Sequence, residues 1–267
     1  MYIVFLVAGM SSRYGGKLKQ LAKVGKHGET LIEVSVNQAL SAGFTKLIFI
    51  TNEVTEHHFV SLFGEEYNGI PVMYVRQPWD REKRERPWGT TGAVCALTKR
   101  VREPFILVNS DDLYGKETFQ EGYNLLRSSR NNIIGGCKVA DTMPADDDVE
   151  VNRGVIHIDP ETKRVRGMKE MLKISTKKNP ELLELPASVN FIGLRPETLD
   201  YLLAILEDFQ LEHQGDRKIE CLLPDNLNYL IQNGIISMEY FQIKNAIHGI
   251  TYPGDEKFLK MIISLYH

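Results

Sequence analysis

Little in this sequence would take it out of water. No apolar run approaches the roughly 20 residues that a bilayer-spanning helix needs. The opening stretch, MYIVFLVAG, has no basic segment before its apolar run and turns polar too early for a secretory signal. Cysteine is scarce. Cys95, Cys137 and Cys221 lie far apart in apolar surroundings, which suits buried thiols in a reducing cytoplasm better than disulfides or a metal cluster. Burial would also raise their pKa values, so none is an expected nucleophile. A charge excess is missing too: 32 Lys and Arg against 35 Asp and Glu leave a net charge of -3. Neither nucleic acid nor an anionic membrane surface is therefore an expected partner. Repeats, low-complexity tracts and a Pro/Gly/Ser-rich linker are absent, so the 267 residues are expected to form one domain.

What is present is an alternation of short apolar runs with helical patterns. Strands are predicted at 2–7, 46–51, 71–76, 105–109, 133–137, 154–158, 188–194 and 235–241. Helices are predicted at 31–42, 53–63, 91–101, 116–128, 196–208, 218–232 and 255–266, with Thr30 as an N-cap and Pro196 in a first turn. The regular order of the first half implies a mostly parallel sheet covered on both faces. The second half is less regular, with polar excursions near 141–150 and 175–183.

The loop after the first strand carries the clearest chemistry. In FLVAGMSSRYGGKLKQL, an apolar run ends in Ala8-Gly9, followed by small residues, Arg13, paired glycines, Lys17 and Lys19. Open α/β sheets bind ligands at the carboxyl ends of their strands. Backbone N–H groups in such a loop can cradle an anion, and the cations add charge. A solvated, flexible turn is the plainer alternative, but loop position, glycines and cations coincide here. The string is neither a Walker A loop nor a G-x-G-x-x-G fingerprint, because Ser11 stands where the second glycine would be.

LVAGMSSRYGGKLKQL resembles the start of the sugar-nucleotide nucleotidyltransferases, also called nucleotide-sugar pyrophosphorylases. Further blocks follow in that family's order: VRQPWDREKRERPWGTTGAV, FILVNSDDLYG, NRGVIHID with VRGMKEM, and SVNFIGLRPETLDYL with IECLLPDNLNYLI. The S-R-Y-G-G and D-D-x-Y-G strings look like a less-characterised branch. The resemblance implies a three-layer α/β/α, Rossmann-like (GT-A-like) domain with a mostly parallel mixed sheet. Its nucleotide-binding half would be about 1–130 and its substrate half about 131–267.

The activity it implies is attack of a phosphorylated small molecule, a sugar 1-phosphate first, on an NTP with Mg²⁺ and release of pyrophosphate. It leaves a homo-oligomer open. Such chemistry needs positioning and charge stabilisation rather than a protein nucleophile. Carried over residue by residue, Arg13 and Lys19 hold the triphosphate and Asp111 holds the metal. Ala8, Gly9, Met10, Ser11 and Ser12 form the phosphate loop, with Gln77, Gly89 and Thr90 around the base. Gly154, Glu170 and Asn190 face the substrate. A Gln at 77 can offer both a donor and an acceptor to a uracil or thymine edge, so UTP or dTTP is expected. Several of these have plainer readings. Asp111 or Asp112 could cap the turn before Lys116, Trp79 and Trp88 could line the cleft or merely anchor it, and 80–86 reads as a solvated charged loop.

Three positions depart from the family pattern. Ser11 replaces a glycine. Met171 replaces a cation for the substrate phosphate, leaving Lys169 or Lys173. The second metal Asp is missing from its place in HGITYPGDEKFL, and Asp255 lies too far along to replace it. These departures leave two alternatives: a cytidylyltransferase acting on an alcohol phosphate such as phosphocholine, or a catalytically weakened regulatory protein that binds a nucleotide sugar.

Overall fold

A computed structural model describes residues 1–9, 18–143, 149–245, 247–250 and 254–266. The first half contains β1 (Tyr2–Leu6), a 3-10 turn at Lys19–Leu21, α1 (Leu31–Leu40), β2 (Lys46–Thr51), α2 (Glu56–Phe63), β3 (Glu66–Tyr67), β4 (Ile70–Arg76), α3 (Gly89–Cys95), β5 (Phe105–Asn109), β6 (Asp112–Leu113) and α4 (Lys116–Ser128). The second contains β7 (Asn132–Lys138), β8 (Val151–Ile158), β9 (Val165–Ile174), β10 (Pro186–Leu194), α5 (Pro196–Glu212), α6 (Leu223–Gln232), β11 (Met238–Gln242), β12 (His248–Gly249) and α7 (Asp255–Tyr266).

Strands β4, β2, β1, β5, β7 and β11 run in one direction, and β10 runs against them between β5 and β7. This is the expected mostly parallel mixed sheet. Helices cover both of its faces, which is why its strands are near-continuous apolar runs rather than alternating ones. Along β1, Ile3 and Phe5 pack with Ile32, Phe59 and Phe119 of α1, α2 and α4, whereas Val4 packs with Val94, Leu202 and Leu227 of α3, α5 and α6. Each such side chain, fully buried, contributes about 1.5–3 kcal/mol. Thr30 caps α1 as expected: its hydroxyl accepts from the Glu33 N–H, and the Glu33 carboxylate accepts from the Thr30 N–H. The three cysteines are buried, and burial pushes Cys95 up to about 12 and Cys137 up to about 11. Among the described residues no helix is long and apolar enough to cross a membrane.

The structure corrects several boundaries. The helix expected at 218–232 begins at Leu223, with Pro224 in its first turn. The preceding residues spend their backbone groups elsewhere: Cys221 N–H donates to Trp88 O, and Arg217 O accepts from Glu85 N–H. The helix at 91–101 runs only from Gly89 to Cys95, and the strand at 235–241 begins at Met238. The long strand β9 was not anticipated; its charged residues hide an alternation that pairs along β8.

Two features position the site. First, β1, β2, β4 and β5 are parallel, so their carboxyl ends meet on one edge. Second, the β8–β9 hairpin meets the sheet at its rim, where Ala187 of β10 pairs with Val155 and Arg164 bridges Glu239 of β11. The hairpin thus forms a separate wall beside that edge.

Candidate active site

The edge at the end of β1 is built from backbone acceptors and short polar side chains. Ala8 O accepts from Asn52 Nδ2 at 2.7 Å, and Leu6 O accepts from the Ser110 hydroxyl at 2.6 Å. Gly9 has open space where a side chain would be. Met10, Ser11, Ser12, Arg13 and Lys17 lie outside the described residues. Lys19 stands in the 3-10 turn, and its ammonium forms an ion pair with Asp111. The two side chains are only 24% and 25% exposed, so this pair is largely shielded from water.

Asp112, beside Asp111, has an enclosed carboxyl that accepts from Asn109 Nδ2 at 3.0 Å. Burial first, and the neighbouring Asp111 second, push it up to about 6, while Asn109 and Lys19 oppose the rise. Neither Asp caps α4: its N-cap is Gly115, without a side-chain cap bond. Asp112 pairs with Gly249 between β6 and β12, and a Cβ on residue 249 would collide with the Asp112 carboxylate.

The next wall begins at Gln77, just after β4. Gln77 N–H continues the ladder to Thr51 O, and Nε2 donates to Gly89 O at 2.8 Å. Gly89 has φ +73, and a Cβ there would strike the Cys221 backbone, so only glycine fits. The Thr90 hydroxyl accepts from Leu223 N–H at 2.9 Å. The next amide, Thr91 N–H, is committed to the Cys221 carbonyl, to which it donates at 3.0 Å. The two tryptophans anchor the 80–88 loop. Trp79 Nε1 donates to Arg84 O, and the Arg84 guanidinium stacks on Trp88 at 3.3 Å from the ring centroid. Arg84 is buried and also donates to Arg86 O, Asp216 O and Ile219 O, so the loop read as solvated has an internal clamp.

A cleft of about 740 Å³ separates this edge from the β8–β9 hairpin. Of the anticipated residues, Thr90, Gly154, Lys169, Glu170 and Asn190 line it together, and Asp112, which was not among them, lines it too. Ala8, Gly9, Lys19, Gln77 and Gly89 are not among its lining residues, and Asp111 connects to the cleft by its neighbour Asp112. Gly154 and Glu170 are cross-strand partners. Burial and Asp225 raise the Glu170 carboxyl, and Arg153 opposes this. Asn190 has φ +58 within an irregular stretch of β10, a conformation that Asn tolerates better than most residues. Arg153, Asn109 and Asp225 also line the cleft and were not anticipated. Only tertiary register brings them there.

A family model described as nucleotidyl transferase matches residues 15–177, more than half of the chain. No curated protein matches it. Among solved structures, one assigned as a glucose-1-phosphate thymidylyltransferase from Bacillus anthracis, in complex with sucrose, is similar with a TM-score of 0.70 and 14% identity over 98% of this chain and 95% of the other. A UDP-glucose pyrophosphorylase complexed with UDP-glucose is similar with a TM-score of 0.69 and 16% identity over 100% of this chain and 99% of the other. At these identities the likeness establishes the fold. Together with the match over residues 15–177, it leads to one conclusion: the chain belongs to the nucleotidyl transferase family.

Proposed function

We propose that the protein transfers a nucleotidyl group from an NTP, UTP or dTTP first, to a phosphorylated small molecule, a sugar 1-phosphate first, with release of pyrophosphate. The observation that carries this is the shielded Lys19–Asp111 pair at the end of β5, next to Asp112, which lines a cleft whose other wall is the β8–β9 hairpin. That geometry suits a triphosphate on one side and an acceptor on the other. An oxygen of the acceptor phosphate attacks the α-phosphorus. The new P–O bond forms as the α–β anhydride bond breaks, and pyrophosphate leaves with that electron pair. A phosphomonoester is mostly ionised near neutral pH, so no general base is required.

The residues at the end of β5 fit a Mg²⁺ ion. The donors are carboxylate oxygens, and the raised Asp112 carboxyl marks a place short of positive charge. Among the described residues no group of three or more acidic, His or Cys side chains gathers, but Mg²⁺ needs only one or two carboxylates beside phosphate oxygens and water. Asp111, with Asp112 beside it, would hold the ion, which supplies charge neutralisation and orientation to the triphosphate. Lys19 and Arg13 bind the leaving phosphates. Gln77, oriented by its donation to Gly89 O, keeps its carbonyl oxygen and its second N–H for the base. Gly154, Glu170 and Asn190 form the acceptor side.

The test is pyrophosphate release from the four ribo-NTPs and dTTP against a panel of sugar and alcohol phosphates. Turnover with UTP or dTTP and a sugar 1-phosphate is expected. CTP with an alcohol phosphate would support the cytidylyltransferase alternative. Binding of a nucleotide sugar without pyrophosphate release from any pair would overturn the catalytic reading in favour of a sensor.

A further inference from the structure

A seam joins residues 84–91 to residues 216–221, and a buried cation closes it. Across the seam Glu85 N–H donates to Arg217 O at 3.0 Å, Cys221 N–H to Trp88 O at 3.2 Å and Thr91 N–H to Cys221 O at 3.0 Å. Its outer charges are open to water: Arg86 pairs with Glu220 at 3.3 Å, and Lys218 and Arg217 pair with Glu85 at 3.4 and 3.7 Å. Exposed pairs of this kind contribute little. Arg84 differs, being only 5% exposed. Its Nε donates to Arg86 O at 3.0 Å, its Nη1 to Asp216 O at 2.6 Å and its Nη2 to Ile219 O, while its guanidinium carbon stands 3.3 Å from the Trp88 ring centroid. One acceptor belongs to the loop and two to the facing segment. A single planar fork therefore sets the spacing of the two segments, and its burial makes each lost acceptor costly.

The seam leads directly to a candidate base reader. Trp88 is followed by Gly89, whose carbonyl accepts from Gln77 Nε2 at 2.8 Å. Gly89 lies hard against the seam, since a Cβ there would stand 2.6 Å from Cys221 O. A carbonyl has no hydrogen to give, so the end of the Gln77 amide that faces it is the nitrogen. That contact fixes which way round the amide stands. The order matters for a pyrimidine. Uracil and thymine present a ring N–H beside a carbonyl, whereas cytosine presents a bare ring nitrogen beside an amino group. An amide free to turn over would match either edge by exchanging its oxygen and nitrogen. An amide held by Gly89 O matches only one.

We propose that Arg84 is a positioning residue for base selection: by locking residues 84–89 to residues 216–221 it holds the Gly89 carbonyl in place, which keeps the Gln77 amide in the orientation that takes uracil or thymine and rejects cytosine. This rests on the nucleotidyl-transfer reading above, in which Gln77 meets the base, and adds the group on which its selectivity depends. Arg84 acts through Gly89 and Gln77, not by contact with the nucleotide.

The experiment is calorimetric titration of the full chain with UTP and with CTP, each with Mg²⁺ and without acceptor. It tests the seam whether or not pyrophosphate is released, so a failed turnover screen counts against the catalytic reading alone. Arg84→Met keeps the apolar stem and removes the fork. It should weaken UTP binding about tenfold, the range of a lost hydrogen bond in a site built for it, and leave CTP binding within about twofold. Arg86→Gln, which breaks an exposed pair on the same seam, should leave the ratio of the two affinities unchanged. Because Arg84 acts through Gln77, Arg84→Met added to Gln77→Ala should not lower that ratio further. An unchanged ratio in Arg84→Met would overturn the proposal, as would a wild type that binds UTP and CTP equally. So would a parallel loss of both affinities with a lowered melting temperature, which would mark a purely structural role. Should Arg84→Met lack a cooperative melt, amide exchange in the wild type decides. Binding and seam are reciprocally coupled, so the Thr91 and Cys221 N–H groups should exchange more slowly with saturating UTP than with saturating CTP. Equal rates would remove Arg84 from base selection.

Discussion

Asp112→Asn takes one charge from the acidic pair at the end of β5 and keeps an oxygen able to accept from Asn109 Nδ2. Burial and Asp111 lift the Asp112 carboxyl from 3.8 to about 6. The folded protein therefore holds this proton more tightly than the unfolded chain does. The cost of ionising it is absent below about pH 4, where the group is protonated in both states. It grows as pH rises and is complete once pH passes about 6. At about 1.4 kcal/mol per pH unit between the two values, the full cost is up to about 3 kcal/mol. The variant removes it, so metal-free Asp112→Asn should melt roughly 5–10 °C above the metal-free wild type on the alkaline side. The two should converge at the acid end. Added Mg²⁺ should raise the wild-type melting temperature more than the variant's, because the ion offsets the same charge. Turnover should move the other way and fall in the variant. The assay is a set of melts with and without Mg²⁺ at pH values below, within and above this window. A variant no more stable than wild type on the alkaline side would refute the argument that Asp112 is enclosed and charged at a cost.

Asp111→Asn keeps shape and loses charge, so turnover should drop by orders of magnitude with the fold intact by circular dichroism; near-normal turnover at saturating Mg²⁺ would remove Asp111 as the metal residue. Lys19→Ala should raise the NTP KM more than tenfold, matching a charge-assisted contact of about 1.5–3 kcal/mol, and Lys17→Ala should change it little; equal effects would refute the positional assignment. Gln77→Ala should flatten the ratios of kcat/KM for UTP and dTTP against CTP and ATP, and a pyrimidine preference that survives it would move the base reader to another group. Gly89→Ala must hold a left-handed backbone with its Cβ against the Cys221 backbone, so it should cost at least about 2 kcal/mol in denaturant unfolding; a loss below about 0.5 kcal/mol would show that the 85–91 and 217–221 segments separate easily.

The site was legible in the sequence wherever chemistry and local order coincide. An apolar run followed by small residues and cations marks the end of β1, and the apolar run ending in Asn109-Ser-Asp111 marks the end of β5. In a parallel sheet both must open on the same edge. Gly154, Glu170 and Asn190 were legible only through their resemblance to other chains, and they do line the cleft. Arg84 was misread, because a charged side chain in a charged segment looks solvated until an indole and three carbonyls are seen around it.

The sequence by itself determined most of the longer strands and helices, β9 excepted, and so the layered α/β/α form. Apolar periodicity, the Thr30 cap and Pro196 act over a few residues and need no partner. Tertiary structure alone decided which distant side chains meet. Arg153 stands opposite Met171 because of the β8–β9 register, and the Asp112 carboxylate fills the space at Gly249 because β6 pairs with β12. It also decided that residues 218–221 stay outside α6, since Lys218 and Ile219 N–H donate to the Asp216 carboxylate and Cys221 N–H donates to Trp88 O. Pairing between distant strands depends on alignments with no local signature, and in this chain those alignments place the charged side chains that line the cleft.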